Sequence, residues 1–178
     1  MPSVDVVVRC PVYDSFRVQQ VAGMFDVPLA VEQTERFTAE IPSLDEQWQI
    51  GLVVGPSGSG KSTIARRQWP AAYTVARSWP DDRALVDGFS GGTIRDITGT
   101  LTAVGFSSPP SWVKPYGVLS GGERFRCDLA RAILEGGDLV VFDEFTSVVD
   151  RTVAKIGSAA VAKAIRRLGR RFVAISCH

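Results

Sequence analysis

Residues Gly55-Pro56-Ser57-Gly58-Ser59-Gly60-Lys61-Ser62 restrict what this chain can fold into more than any other segment. They match G-x-x-x-x-G-K-[ST] in full. Glycines at this density let the backbone turn tightly and aim successive N–H groups at an anion. Trp48–Val54, just before, is an apolar run that reads as a buried strand, and Lys61–Trp69, just after, reads as a helix stopped by Pro70. A helix start adds unsatisfied N–H groups and the positive end of its dipole at the same point. Strand, glycine-rich loop and helix in that order predict a nucleotide-phosphate site. Lys61 would set its charge on the β- and γ-phosphates, Ser62 would offer its hydroxyl to magnesium, and Thr63 would support the α-phosphate side. The loop alone does not tell an ATPase from a kinase, a GTPase or a motor protein.

The rest of the chain alternates in the same way. Strands are expected at Val4–Cys10, Phe37–Ile41, Tyr73–Ala76, Ala84–Val86, Leu139–Phe142 and Phe172–Ser176. Helices are expected at Ser15–Met24, Ile94–Val104, Glu123–Leu134 and Val153–Leu168, the last with Val153, Ile156, Ala160, Val161, Ala164, Ile165 and Leu168 on one stripe. Ser107–Pro115, rich in Ser and Pro, reads as irregular. The fold class is α/β, with a mainly parallel sheet and flanking helices.

Length and composition narrow the rest. A chain of 178 residues suffices for one domain with a sizeable core. A formal net charge of +1 gives no global basic field for nucleic acid. Cys10, Cys127 and Cys177 are odd in number and scattered, which predicts small core residues in a reducing, cytoplasmic compartment. No run approaches the roughly 18 apolar residues of a membrane span, and no basic segment followed by an apolar stretch suggests a secretory signal. The chain stops at His178, directly after a strand, which suggests truncation.

Two further segments carry chemistry. Leu119-Ser120-Gly121-Gly122-Glu123 opens the helix that carries Arg124, Arg126 and Arg131, and is a second anion-ready helix start. Leu139-Val140-Val141-Phe142-Asp143-Glu144 is an apolar strand ending in two carboxylates, set where open α/β sheets bind ligands. With Ala130-Arg131-Ala132 and Leu134, and in the order phosphate loop, Leu119–Glu123, acidic strand end, the chain resembles the ABC ATPases over roughly Gln49 to His178.

That resemblance implies ATP and magnesium as cofactors, ATP hydrolysis, and an ATP-dependent homodimer. Its subunits would pair head-to-tail, Ser120, Gly121 and Gly122 of one touching the γ-phosphate held by the other. Asp143 would hold the magnesium shell, and Glu144 would polarise the attacking water or accept its proton. Ser147-Val148-Val149-Asp150 is similar to the family's D-loop, with Asp150 at the dimer interface. His178 resembles the switch histidine. One ATP-binding domain over 1–178 is expected, with an N-terminal strand and helix region (1–48) and a motif-bearing core (49–178).

The family pattern is incomplete in places. A glutamine that meets magnesium is normally present between the phosphate loop and the Ser120 motif, and none follows Gln68. Asp87 is the nearest match, either as an oxygen ligand to the metal's water or as a turn residue before Gly88. The stretch from Gly60 to Ser120 is short, which implies a reduced helical subdomain and makes a transporter subunit the lesser reading. Phe25, then Phe37 and Tyr13, are candidates to stack adenine, though each reads more readily as core. Pro42–Trp48, Val86–Phe89, Ser107–Trp112 and Phe145–Arg151 are similar to a soluble ABC group associated with an acetyltransferase-like partner. Arg166-Arg167 and Arg170-Arg171 suggest nucleic acid, but basic residues at a helix C-terminus are favourable on their own.

Overall fold

The computed structural model describes residues 3–74, 78–147 and 149–177. The backbone divides into two compact units, Met1–Ser43 and Leu44–His178. In the first, β1 (Ser3–Pro11) runs antiparallel to β2 (Glu32–Glu40), with α1 (Phe16–Phe25) between them in sequence. The Ser15 hydroxyl caps α1 by accepting from the Val18 N–H at 3.3 Å. β2 begins at Glu32, ahead of the expected Phe37. Glu32–Arg36 is polar and carries no apolar signal, yet its backbone pairs with β1 from Pro11 to Val7. Phe25 and Tyr13 are 69% and 77% exposed, against the core reading, and Phe37 is half-buried.

The second unit holds a four-stranded sheet in the order β3 (Ile50–Val54), β6 (Arg171–Ser176), β5 (Leu139–Phe142), β4 (Tyr73–Thr74). All its pairings are parallel, with Val54 opposite Ser176, Phe142 opposite Ala174 and Thr74 opposite Phe142. The carboxyl ends of the strands therefore share one edge. β6, last in sequence, sits between the phosphate-loop strand and the acidic strand and is buried from Phe172 to Ser176. β3 departs from the buried-strand expectation: Ile50, Leu52 and Val54 are exposed, Leu52 by 63%. β3 is an edge strand, paired only with β6 among the described residues, and these alternate residues share one of its faces, which is exposed.

Helices α2 (Lys61–Gln68), α3 (Ile94–Ala103), α4 (Pro109–Trp112), α5 (Gly121–Glu135) and α6 (Arg151–Leu168) complete the unit. α5 buries Phe125, Leu129 and Ile133, and α6 buries Gly157, Ala160, Val161 and Ile165. The two helices approach closely at Gly157, where a Cβ would lie 3.3 Å from both Leu129 and Phe125. The expected strand at Ala84–Val86 does not form. Leu85–Gly88 is a 3-10 turn, held by the Leu85 N–H donating to the Lys114 carbonyl at 2.8 Å and by the buried Leu85 side chain. A run this short has no neighbouring strand to pair with, so burial of one leucine decides its shape. Pro109–Trp112 is a helical turn inside the segment expected to be irregular, with proline at its favoured first positions. Of the strand expected at Tyr73–Ala76, Tyr73–Thr74 forms β4, and the remainder lies outside the described residues.

α5 ends at Gly136, whose N–H donates to the Ala132 carbonyl at 3.0 Å. A Cβ there would lie 2.3 Å from that carbonyl oxygen and 2.4 Å from Val140 Cγ2, whereas one at Gly137 meets nothing within 4 Å. Gly136→Ala should cost about 1–3 kcal/mol, and Gly137→Ala should leave the denaturation midpoint nearly unchanged. Equal midpoints for the two variants would contradict this packing.

Candidate functional site

The phosphate loop is shaped by two left-handed glycines, Gly58 at φ 78° and Gly60 at φ 79°, a region other residues enter at a cost. Its walls are tight, since a Cβ on Gly55 would lie 2.8 Å from Ser59 Oγ. Gly60 begins α2 with no side-chain oxygen capping it. The helices α3, α5 and α6 are instead closed by Thr93, Ser120 and Asp150. The first N–H groups of a helix have no intrahelical acceptor, so those of Lys61, Ser62 and Thr63 are left for a ligand. Lys61 is buried, and its ammonium donates to the carbonyls of Gly55 and Pro56 at 2.7 Å each. It is thereby drawn across the loop where phosphate charge would sit. Ser62 and Thr63 are half-buried, and Ser57 and Ser59 are exposed.

On the same sheet edge β5 runs into Asp143 and Glu144. Asp143 Oδ1 accepts from the Glu144 N–H at 2.9 Å, and Oδ2 accepts from the Tyr73 hydroxyl. Glu144 is exposed and lies at φ 50°, and Thr146 lies at φ 66°. Left-handed backbone at a non-glycine residue costs on the order of 1–3 kcal/mol and persists only where the surroundings impose it. Phe145 imposes it here. Its N–H donates to the Ile175 carbonyl of β6 at 2.8 Å, and its buried ring packs edge-on against Phe125, Phe142 and Phe172. With Phe145 anchored inward, Glu144 is turned outward.

Sequence reading missed Tyr73 and Arg66. Tyr73 stands on β4 beside Val141, and the Arg66 guanidinium of α2 lies 4.9 Å from the centre of its ring. Burial, then the bond to Asp143, pushes the phenol pKa up, so it stays a donor. A tyrosine in a two-residue strand carries no sequence pattern that could have drawn attention to it.

Ser120 caps α5 reciprocally with Glu123. The Ser120 N–H and hydroxyl donate to Glu123 Oε2 at 2.9 and 2.8 Å, and the Glu123 N–H donates back to Ser120 Oγ at 3.4 Å. The bonds from the Ser120 N–H and hydroxyl hold the Glu123 carboxyl below its usual range. Farther along α5, Asp128 accepts from Trp79 Nε1 at 2.6 Å and from the Tyr116 hydroxyl at 2.8 Å. The Trp79 and Tyr116 rings stack at 4.9 Å, with the Arg131 guanidinium 3.6 Å from the centre of Trp79. Burial raises the Asp128 pKa. This clasp fixes the segment leading into Leu119 and Ser120.

The remaining predicted residues are placed less centrally. Asp150 is exposed and caps α6, accepting from the N–H groups of Thr152 at 2.7 Å and Val153 at 3.0 Å. Asp87 is exposed in the 3-10 turn, its N–H donating to Ala84 at 3.0 Å, which is the geometry of a turn residue rather than of a strand end. Cys127 is buried as expected, but Cys10 and Cys177 are exposed. His178 lies outside the described residues. No group of three or more His, Cys, Asp or Glu forms a metal cage among the described residues. Magnesium keeps waters and takes few protein ligands, so the Ser62 hydroxyl and the Asp143 carboxylate would suffice to hold it.

The fold is similar to that of ABC-type ATP-binding cassettes. The structure aligns with the dimeric cassette MJ0796 in a post-hydrolysis state bound to ADP and Pi, at TM-score 0.57 and 14% identity over 72% of this chain and 74% of that one. It also aligns with a bacterial Atm1-family ABC exporter with ATP bound, at TM-score 0.57 and 21% identity over 72% and 29% of the two chains. No protein-family model matches the chain. In sequence it is 34% identical over 132 positions to the energy-dependent translational throttle protein EttA of Mycobacterium tuberculosis H37Rv, covering 60% of this chain and 23% of the relative. It is 32% identical over 114 positions to elongation factor 3 of Zygosaccharomyces rouxii, covering 54% and 11%. The chain thus spans less than a quarter of the length of these relatives. No helix among the described residues is long and apolar enough to cross a membrane.

The two capping carboxylates set an acid dependence. Glu123 and Asp150 both have folded pKa values below their ordinary ones. Their contribution is complete above the unfolded carboxylate range and is lost as pH falls through the folded values. Glu123→Gln with Asp150→Asn should therefore lose less thermal stability than the parent between neutral pH and about pH 3. Parallel losses in the two proteins would show that these caps do not supply the dependence.

Proposed function

We propose that the chain binds magnesium-ATP at Gly55–Thr63 and hydrolyses it as one half of an ATP-dependent homodimer. The observation that carries this reading is the α2 start, left without a side-chain cap, with the buried Lys61 ammonium held across the same loop. ATP would lay its phosphates on the N–H groups of Gly58 to Thr63. Ser62 and Asp143 would hold the ion, which supplies neutralisation of phosphate charge. Glu144, exposed at the sheet edge, would polarise the attacking water. Ser120, Gly121 and Gly122 would meet the nucleotide of the facing chain, with Asp150 near that interface and His178 supporting the water. Asp87 acts as a turn residue in this scheme. The dimeric form of the similar cassette MJ0796 supports the paired arrangement.

The coupled process is read from the relatives. EttA is named as a translational throttle and the second relative as an elongation factor, which favours a cytoplasmic role near protein synthesis over a transporter subunit. The alternative partner is an acetyltransferase-like protein, supported by the wording of Pro42–Trp48 and Phe145–Arg151. Affinity purification of the Glu144→Gln form with ATP separates the two: ribosomal material supports the first, an acetyltransferase the second.

The chemistry is tested directly. Lys61→Ala should lower ATP affinity about tenfold or more, the magnitude of a charge-assisted hydrogen bond, and abolish turnover. Glu144→Gln should bind ATP, accumulate as a dimer and not hydrolyse it. Ser120→Arg should bind ATP as a monomer, and mixing it with Lys61→Ala chains should restore ATP-dependent mixed dimers. Unchanged turnover in Lys61→Ala would overturn the site assignment, and a mixture that does not pair would overturn the shared-site arrangement.

A further inference from the structure

We propose that Tyr73 is a positioning residue for metal binding, its hydroxyl locking the Asp143 carboxylate while Arg66, over its ring, ties the side chain to the phosphate-loop helix. The proposal rests on Asp143 being the magnesium-shell carboxylate. A carboxylate at a strand end turns about two side-chain bonds, and one hydrogen bond does not fix its plane. Asp143 has two, from the Glu144 N–H to Oδ1 and from the Tyr73 hydroxyl to Oδ2. Each ionised oxygen has a further lone pair, so both remain able to accept from metal-bound water.

Strand register makes the contact possible. Tyr73 pairs with Val141, short of the end of β5, and its long side chain reaches forward past Phe142 to Asp143. Over its ring, at 4.9 Å, lies Arg66, on the same helix that begins with Lys61. Arg66, Tyr73 and Asp143 thus form one chain of contacts between the phosphate-binding helix and the acidic strand end. Half-burial of Tyr73 strengthens the bond by limiting competition from water. Holding the carboxylate in place beforehand removes an ordering cost from the binding step.

Tyr73→Phe removes only the donor and keeps the ring under Arg66. Three measurements on the full chain read the effect: nucleotide affinity without metal, manganese affinity by electron paramagnetic resonance with a non-hydrolysable ATP analogue, and thermal midpoint. Metal-free nucleotide affinity and the midpoint should match the parent, and manganese affinity should fall about three- to tenfold, the effect of one hydrogen bond. Arg66→Gln should lower it in the same direction by less. Tyr73→Phe should add nothing in an Asp143→Asn background, because the two act through one group. Parent-like manganese affinity in Tyr73→Phe, or an equal loss of metal-free nucleotide binding, overturns the positioning role. If Asp143→Asn itself keeps parent manganese affinity, the assignment of Asp143 fails. If it loses that affinity while Tyr73→Phe does not, only the role of Tyr73 fails.

Discussion

β6 is the element on which the rest of the second unit depends. It lies between β3 and β5, and its parallel pairing with both sets Val54 level with Ser176 and Phe142 level with Ala174. That register places the start of the phosphate loop and the acidic strand end at the same edge. It also supplies the Ile175 carbonyl that receives the Phe145 N–H. A strand buried along Phe172–Ser176 has no solvent to satisfy its backbone, so both neighbours are obligatory partners. The geometry of two distant loops is in this way imposed by the hydrogen-bonding demand of one apolar segment.

Helix starts divide the molecule's work. Four are closed by their own side chains, Ser15, Thr93, Ser120 and Asp150, while α2 has only Gly60. The closed ends favour folding, since each cap satisfies N–H groups that would otherwise need water. The α2 end gives up that stabilisation, and Lys61 fills part of the space by bonding to loop carbonyls. The left-handed Glu144 and Thr146 are a comparable local cost, borne by the packing of Phe145. Function and local stability are thus in tension at both sides of the proposed site, and the aromatic cluster behind β5 supplies the compensating energy.

Legibility followed the range of each signal. The phosphate loop and the α5 start are readable because their patterns lie within a few residues of one another, whereas the α6 stripe holds only in part: Ala160, Val161 and Ile165 are buried, but Ile156 and Leu168 are exposed. β2 was read short because Glu32–Arg36 has no apolar alternation, and its pairing with β1 is a backbone matter. Ala84–Val86 carries no signal that separates the two outcomes, because three apolar residues look alike in a strand and in a turn that buries one of them, Leu85. Phe25 and Tyr13 resemble core residues in their chemistry, and their exposure is decided only by the fold.

By itself the sequence determined the fold class of the chain: an α/β core with a mainly parallel sheet, with Gly58 and Gly60 where the backbone must be left-handed and Lys61 directly after them at the helix start. These are local requirements, met by residue type and spacing alone. Only the tertiary structure decided that β6 separates β3 from β5, that Asp143 receives Tyr73 and that Arg66 lies over that ring. Those contacts join residues far apart in the chain, and strand order arises from the packing of whole elements, which no short window of sequence contains.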